Sequence, residues 1–220
     1  MERPSERIAA LRGAIPEGVA LLAVSKFHPA GAIEDAYEGG QRLFGESRVQ
    51  ELAVKARELP GDIRWHFIGH LQTNKVRQAV EWASVIESID SLRLLRAVDA
   101  EARKAGKRVD VLLQVHVARE ETKFGFLPEE MEAAAVEAAG MEGVRVTGVM
   151  GMASNTDDME RVRSDFRKIR GCFDALKAGV MSGREEFAVV SMGMSHDWRE
   201  AVECGSTLVR IGSDIFGERG

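Results

Sequence analysis

Eight apolar runs rich in Val, Ile and Leu recur along the 220 residues, each parted from the next by a longer stretch, and that alternation constrains the fold most. The runs are residues 19–27 (VALLAVSKF), 42–47, 64–70, 84–90, 110–117, 144–152, 187–194 and 206–213 (STLVRIGS). Between them, segments such as AGAIEDAYEGG, RVQELAVKAREL and SLRLLRAVDAEARKAGK carry apolar residues at helical spacing, and several close on a glycine suited to a helix C-terminus. Strands separated by helices pair in parallel through right-handed crossovers, and a parallel sheet needs helices over its faces. Eight such units close into a barrel. The competing open, doubly wound sheet normally carries a G-x-G-x-x-G turn after its first strand, and VSKFHPAGAIEDA contains none. The sequence therefore predicts an α/β fold, a single-domain (β/α)8 TIM-like barrel over residues 1–220. An extra N-terminal helix, PSERIAALRGAI, precedes the first strand; since the chain stops a few residues after the last strand, this helix is expected to cover the closing seam.

Composition excludes several classes of function. Thirty Lys and Arg against 35 Asp and Glu give a net charge of -5, which offers no basic surface to a nucleic-acid backbone. The opening MERPSERIAALRGAIPEG lacks the basic start and unbroken apolar core of a secretory signal, and no later run is long enough to span a membrane. A soluble, cytoplasmic protein is expected. The two cysteines, Cys172 and Cys204, have no paired spacing, which argues against a disulfide framework and a zinc site and leaves them as packing residues.

Two cations mark the candidate site. Side chains alternate along a strand, so Leu22, Val24 and Lys26 share one face of the first run; Leu208, Arg210 and Gly212 share one face of the last, with Val209 and Ile211 toward the helices. Closure of the barrel makes the first and last strands neighbours and brings Lys26 and Arg210 together at the C-terminal ends, where barrels of this kind build their sites. Two cations at one mouth call for an anion between them, and a phosphorylated ligand is the simplest candidate. RIGSDIFG after Arg210 and SMGMSHDW before it supply the glycines, hydroxyls and helix-start N–H groups that a phosphate uses. A lysine partly withdrawn from water beside another cation should have a pKa below the usual value of about 10.4, which suits it to Schiff-base chemistry. The competing reading has Lys26 reaching solvent and pairing with a carboxylate such as Glu46.

The motifs VSKFHP, FGESRVQE, WHFIGHLQTNK, ETKFGF and SMGMSHDWREAVECGSTLVRIGSDIFGER, in this order, resemble those of the pyridoxal 5'-phosphate homeostasis proteins, the YggS-like group, over almost the whole chain. The resemblance implies a barrel of the alanine racemase N-terminal-domain type that binds pyridoxal 5'-phosphate (PLP) and serves intracellular vitamin B6 balance without an established reaction. It also implies residue roles: Lys26 as the Schiff-base lysine, Arg210 facing the pyridine nitrogen, and Ser195, Gly212 and Ser213 around the phosphate, with Ser191 a further member of that shell. The usual asparagine of the FGEN block is Ser47 here, followed by Arg48 where an aromatic is common, so any cofactor contact at Ser47 is a departure from the pattern. Apo forms of PLP-dependent enzymes are the expected partners, and a monomer is the expected state.

An arginine against the pyridine nitrogen disfavours ring protonation and weakens the ring as an electron sink. A two-base racemase also needs a second acid or base on the far face. In racemases of the related fold a tyrosine from a further domain serves, whereas the one tyrosine here, Tyr37, lies in the helix after the first strand and the chain ends at Gly220. A carrier is thus the leading expectation, a slow racemase-like enzyme the alternative, and a cofactor-free Schiff-base aldolase a distant third. His66 and His70 read as hydrogen-bonded structural or mouth residues, His28 as part of a turn, Asp197 as a helix cap, and the methionines of GVMGMAS and VVSMGMS as walls of the barrel mouth.

Overall fold

The computed structural model describes residues 2–117 and 124–217. Within them eight parallel strands close into a barrel in sequence order: β1 (Ala20–Val24), β2 (Leu43–Glu46), β3 (Arg64–Phe67), β4 (Val85–Ile89), β5 (Val109–Val115), β6 (Val144–Gly151), β7 (Val189–Ser191) and β8 (Leu208–Ile211). Seven of the predicted runs contain one of these strands, and the run 110–117 overlaps β5, which begins one residue earlier. Helix α1 (Pro4–Ala14) leads, and α2 (Ala30–Glu38), α3 (Val49–Glu58), α4 (Val76–Trp82), α5 (Leu92–Lys104), α6 (Met131–Ala139), α7 (Met159–Ala178) and α8 (Trp198–Glu203) follow successive strands. A short α9 (Ser213–Phe216), absent from the expected elements, follows β8 near the end of the described residues.

Both faces of the strands are buried, but they bury different things. Leu21 and Ala23 of β1 and Val209 and Ile211 of β8 join the apolar layer under the helices, as alternation requires. Helix α7 adds Val162, Phe166, Ile169, Phe173 and Leu176 at alternating spacings of three and four, one stripe along a helix whose N-terminus is capped by Asp158. Inside the barrel, Val85, Leu112 and Met150 form only a small apolar cluster. Polar groups fill much of the remaining interior.

The seam closes as expected. Leu22 pairs with Arg210 in the β1–β8 register. Helix α1 lies across that seam: the Ser5 N–H donates to Asp35 of α2 at 2.8 Å, and Arg7 donates to the Ile215 carbonyl of α9 at 3.3 Å. Strand β1 stops at Val24, earlier than the predicted 27. A turn ends the strand: His28 N–H turns back to the Ser25 carbonyl at 3.1 Å, and Phe27 takes a φ of 68°, in the left-handed region no strand contains.

Candidate functional site

Lys26 therefore sits in the turn just past β1, and that turn is fastened on both sides. Ser25 Oγ donates to Glu46 Oε1 at 2.6 Å; Lys55 Nζ donates to the same oxygen at 2.7 Å and to the Ser25 carbonyl at 2.9 Å. On the far side of Lys26, Phe27 N–H donates to Glu51 Oε2 at 3.0 Å. Burial pushes the Glu46 carboxyl above its ordinary value, and the hydrogen bonds and charge of Lys55 and the Ser25 bond only partly offset it. Glu46 Oε1 is thus engaged by Lys55 and Ser25. Sequence reasoning missed Lys55; an amine at one helical position gives no sign that it is buried.

Lys26 and Arg210 open onto one cavity of about 550 Å³ at the C-terminal ends of the strands, together with Ser195, Gly212 and Ser213. Met150, Met152 and Met194 wall it, as expected, whereas Met192 faces the helices. His28 forms the predicted turn and also lines the cavity, stacked on Phe216 of α9 with ring centroids 5.1 Å apart. The loop before α8 depends on Gly193, whose φ of +94° suits glycine and whose missing side chain lets Ala201 approach: a Cβ there would lie 2.6 Å from that of Ala201. This packing presents Ser195, whose Oγ accepts from Gly212 N–H at 3.3 Å and so ties the two phosphate-type loops together. Asp197 precedes α8 as predicted, yet its carboxylate accepts from Met194 N–H at 2.6 Å, fastening the loop rather than the first turn of the helix.

Two predicted members of the shell are set apart from it. Ser191 is fully buried beneath the cavity, with its hydroxyl engaged by two protein partners: it accepts from Arg210 Nη1 at 2.6 Å and donates to Glu87 Oε2 at 2.6 Å. The direction is fixed because a guanidinium can only donate. Ser47 is half-buried in the bend after β2 and does not line the cavity.

Beneath the cavity runs a polar chain that the sequence did not announce. Glu87 Oε1 pairs with His66 Nδ1 at 2.6 Å, its Oε2 takes the Ser191 proton, and Arg210 Nη1 lies 3.9 Å from that second oxygen. Arg210 Nη2 donates to the Gly151 carbonyl at 3.0 Å. Burial alone would raise the Glu87 carboxyl; the His66 bond and charge, the Arg210 charge and the Ser191 bond outweigh it and hold the group below its ordinary value. Burial also lowers Arg210, with Glu87 and Asp197 opposing the shift. The charge of Arg210 is accordingly answered from below by Glu87, so two neighbouring cations here do not by themselves require a phosphate. The site instead rests on the amine and the loop donors. Glu87 was detectable in principle as an acid within the apolar run SVIESID, but its partners come from three other strands.

The remaining histidines follow the structural reading. His66 is the buried partner of Glu87, and His70 pairs with Asp90 at 3.0 Å and stacks on Phe124. Of the ETKFGF block, only 124–126 fall within the described residues. Tyr37 donates to Asp62 at 2.7 Å in the loop before β3, at the barrel end opposite the cavity. Cys172 and Cys204 are half-buried free thiols, each raised by burial, and act as packing residues.

The family model described as "Alanine racemase, N-terminal domain" matches residues 2–220. Curated relatives named "Pyridoxal phosphate homeostasis protein" include those of Haemophilus influenzae, 37% identical over 91% of this chain and 85% of the relative, and Aquifex aeolicus, 39% identical over 90% and 86%. The chain belongs to the pyridoxal phosphate homeostasis protein family. Among solved structures of this family's relatives, PipY of Synechococcus elongatus PCC7942, described as without PLP, superposes with a TM-score of 0.92 at 37% identity, covering 98% of this chain and all of PipY. The PLP-bound form of PipY gives 0.89. Alanine racemase from Clostridium difficile 630 gives 0.76 at 15% identity, covering 98% of this chain and 56% of the racemase, a likeness of fold alone. No helix among the described residues is long and apolar enough to cross a membrane.

Proposed function

We propose that the chain binds pyridoxal 5'-phosphate covalently but reversibly at Lys26 and acts as a carrier that holds the cofactor and yields it to apo-enzymes. The observation that carries this reading is the opening of Lys26 and Arg210 onto one cavity edged by Ser195, Gly212 and Ser213. The residues suit the group. About 550 Å³ lies within the usual range of small-molecule sites. Gly212 passes so close to Val24 that a Cβ would lie 3.2 Å from the Val24 carbonyl, keeping the loop compact against β1, and the first-turn N–H groups of α9 face outward from its start. When bound, PLP supplies an aldehyde that condenses with an amine and a ring able to take up electron density. Lys26 provides the amine, Arg210 a donor for the ring nitrogen, and the two loops hydroxyl and N–H donors for the phosphate. A permanently charged guanidinium at the ring nitrogen restrains electron uptake, which favours storage over turnover.

The naming of the curated relatives as homeostasis proteins supports the carrier reading, as does the position of Tyr37, which cannot serve as a second base at this cavity. Borohydride reduction of PLP-loaded protein is expected to fix the cofactor mass on the peptide containing Lys26. Absence of that adduct, with no yellow colour on loading, overturns the proposal. Incubation with single-enantiomer amino acids in deuterated water is expected to give neither α-deuterium uptake nor the opposite isomer; either product would restore the racemase reading.

A further inference from the structure

Arg210 at the cavity floor is buried, and a buried guanidinium has no reason to present one particular edge to a ligand unless something fixes its plane. We propose that Glu87, acting through Ser191 and steadied by His66, is the positioning residue that aims Arg210 at the pyridine nitrogen. The inference rests on the function proposed above and deepens it, since it assigns to three interior residues the discrimination of the ring nitrogen.

The geometry carries the argument. Arg210 donates through its two terminal nitrogens, from Nη1 to Ser191 Oγ at 2.6 Å and from Nη2 to the Gly151 carbonyl at 3.0 Å, and these bonds hold the guanidinium plane between β6 and β7. The Ser191 hydroxyl can accept from Arg210 only while its own proton points elsewhere, and Glu87 Oε2 at 2.6 Å takes that proton. Glu87 in turn has its other oxygen fixed by His66 Nδ1 at 2.6 Å. Four strands, β3, β4, β7 and β8, thus contribute one side chain each to a single directed chain that ends on Arg210. A protonated or amide group at position 87 presents a donor as well as an acceptor, so the direction of the Ser191 proton is no longer dictated. The guanidinium then loses its fixed aim without any loss of the cavity itself.

The experiment compares PLP with its 1-deaza analogue, in which carbon replaces the ring nitrogen, by equilibrium binding to full-length protein. Wild type is expected to favour PLP by about tenfold, the worth of one hydrogen bond to a charged donor. Glu87→Gln and Ser191→Ala are expected to shrink that preference to about twofold while still forming the borohydride-trapped adduct on Lys26, and Glu87→Asp to restore part of it. Asp99→Asn, which disturbs the buried Asp99 bond to Gly143 N–H before β6, is the control for lost stability alone and should keep the wild-type preference. Should Glu87→Gln fail to fold, Ser191→Ala gives the same reading, because it removes one hydroxyl and leaves the carboxylate in place. An unchanged preference in the folded variants overturns the positioning role and leaves the carrier reading intact. A wild type that binds PLP but does not distinguish the analogue overturns the contact between Arg210 and the ring nitrogen, and a wild type that takes up neither compound overturns both proposals.

Discussion

Lys55 Nζ stands 2.7 Å from Glu46 Oε1 under the turn that carries Lys26, and both side chains are withdrawn from water. A buried ion pair of this kind contributes little net stability, yet removal of one partner leaves an uncompensated charge and costs about 3–5 kcal/mol. Lys55→Met should therefore destabilise the fold by about 3 kcal/mol in chemical denaturation. It should also slow capture of PLP, because the Ser25 carbonyl loses its donor and the Lys26 turn its anchor. Capture at the wild-type rate in folded Lys55→Met would show that the pair supports the barrel and not the amine.

The loop before α8 makes a different demand. Ala at position 193 would need a left-handed backbone and a Cβ 2.6 Å from that of Ala201. Strain and overpacking each cost about 1–3 kcal/mol, so Gly193→Ala should lower stability by about 2 kcal/mol or more and displace Ser195. Thermal denaturation and PLP affinity measured together should fall together; weakened stability with unchanged affinity would separate Ser195 from the site.

How much of this was legible in the chain depends on the range of the interactions. The alternation in STLVRIGS assigns Leu208 and Arg210 to the interior and Val209 and Ile211 to the helices because strand periodicity is local and unbroken there. The end of β1 was misplaced by three residues because the turn at Phe27 depends on Glu51 and Lys55, both on α3. Ser191 and Ser195 look alike in SMGMS, yet one lies in β7, enclosed with Glu87, and the other in the loop beyond it. Four positions of sequence separate an enclosed hydroxyl from a cavity-lining one, and only the end of the strand distinguishes them.

Asp165 on α7 should contribute to acid sensitivity. Its burial would raise the carboxyl, but the Ser154 hydroxyl and N–H, at 2.7 and 3.0 Å, and the charges of Arg161 and Lys168 hold it below the ordinary value. The folded state then binds this proton less readily than the unfolded chain does. Its contribution is present above the unfolded value of about 4 and is lost as pH falls through the lowered folded value. Asp165→Asn should lower stability at pH 7 by about 1 kcal/mol and flatten the decline between about pH 4 and pH 2. Denaturation midpoints that fall with pH as steeply as in wild type would assign the acid limb to other carboxylates.

The proposal that the loops at Ser195 and Gly212 hold the phosphate can be tested by asking how strongly the protein distinguishes PLP from pyridoxal, which has the same ring and aldehyde without the phosphate. Gly212 offers a precise point of intervention, since its backbone already donates to Ser195 Oγ and a Cβ there would lie 3.2 Å from the Val24 carbonyl and 3.3 Å from Val24 Cβ. These contacts are tight without being prohibitive, and the φ of -122° is open to alanine, so Gly212→Ala should fold with a shift of only a few tenths of an ångström. That shift moves the loop outward from β1 and away from Ser195. Hydrogen bonds to a charged group are each worth about 1.5–3 kcal/mol, so loss of one should reduce the preference for PLP over pyridoxal by about 10- to 150-fold. Affinity for pyridoxal itself should hardly change, because pyridoxal has no phosphate for this loop to hold. A variant in which both affinities fall equally would place the disturbance at the ring or the amine and remove Gly212 from the phosphate cradle.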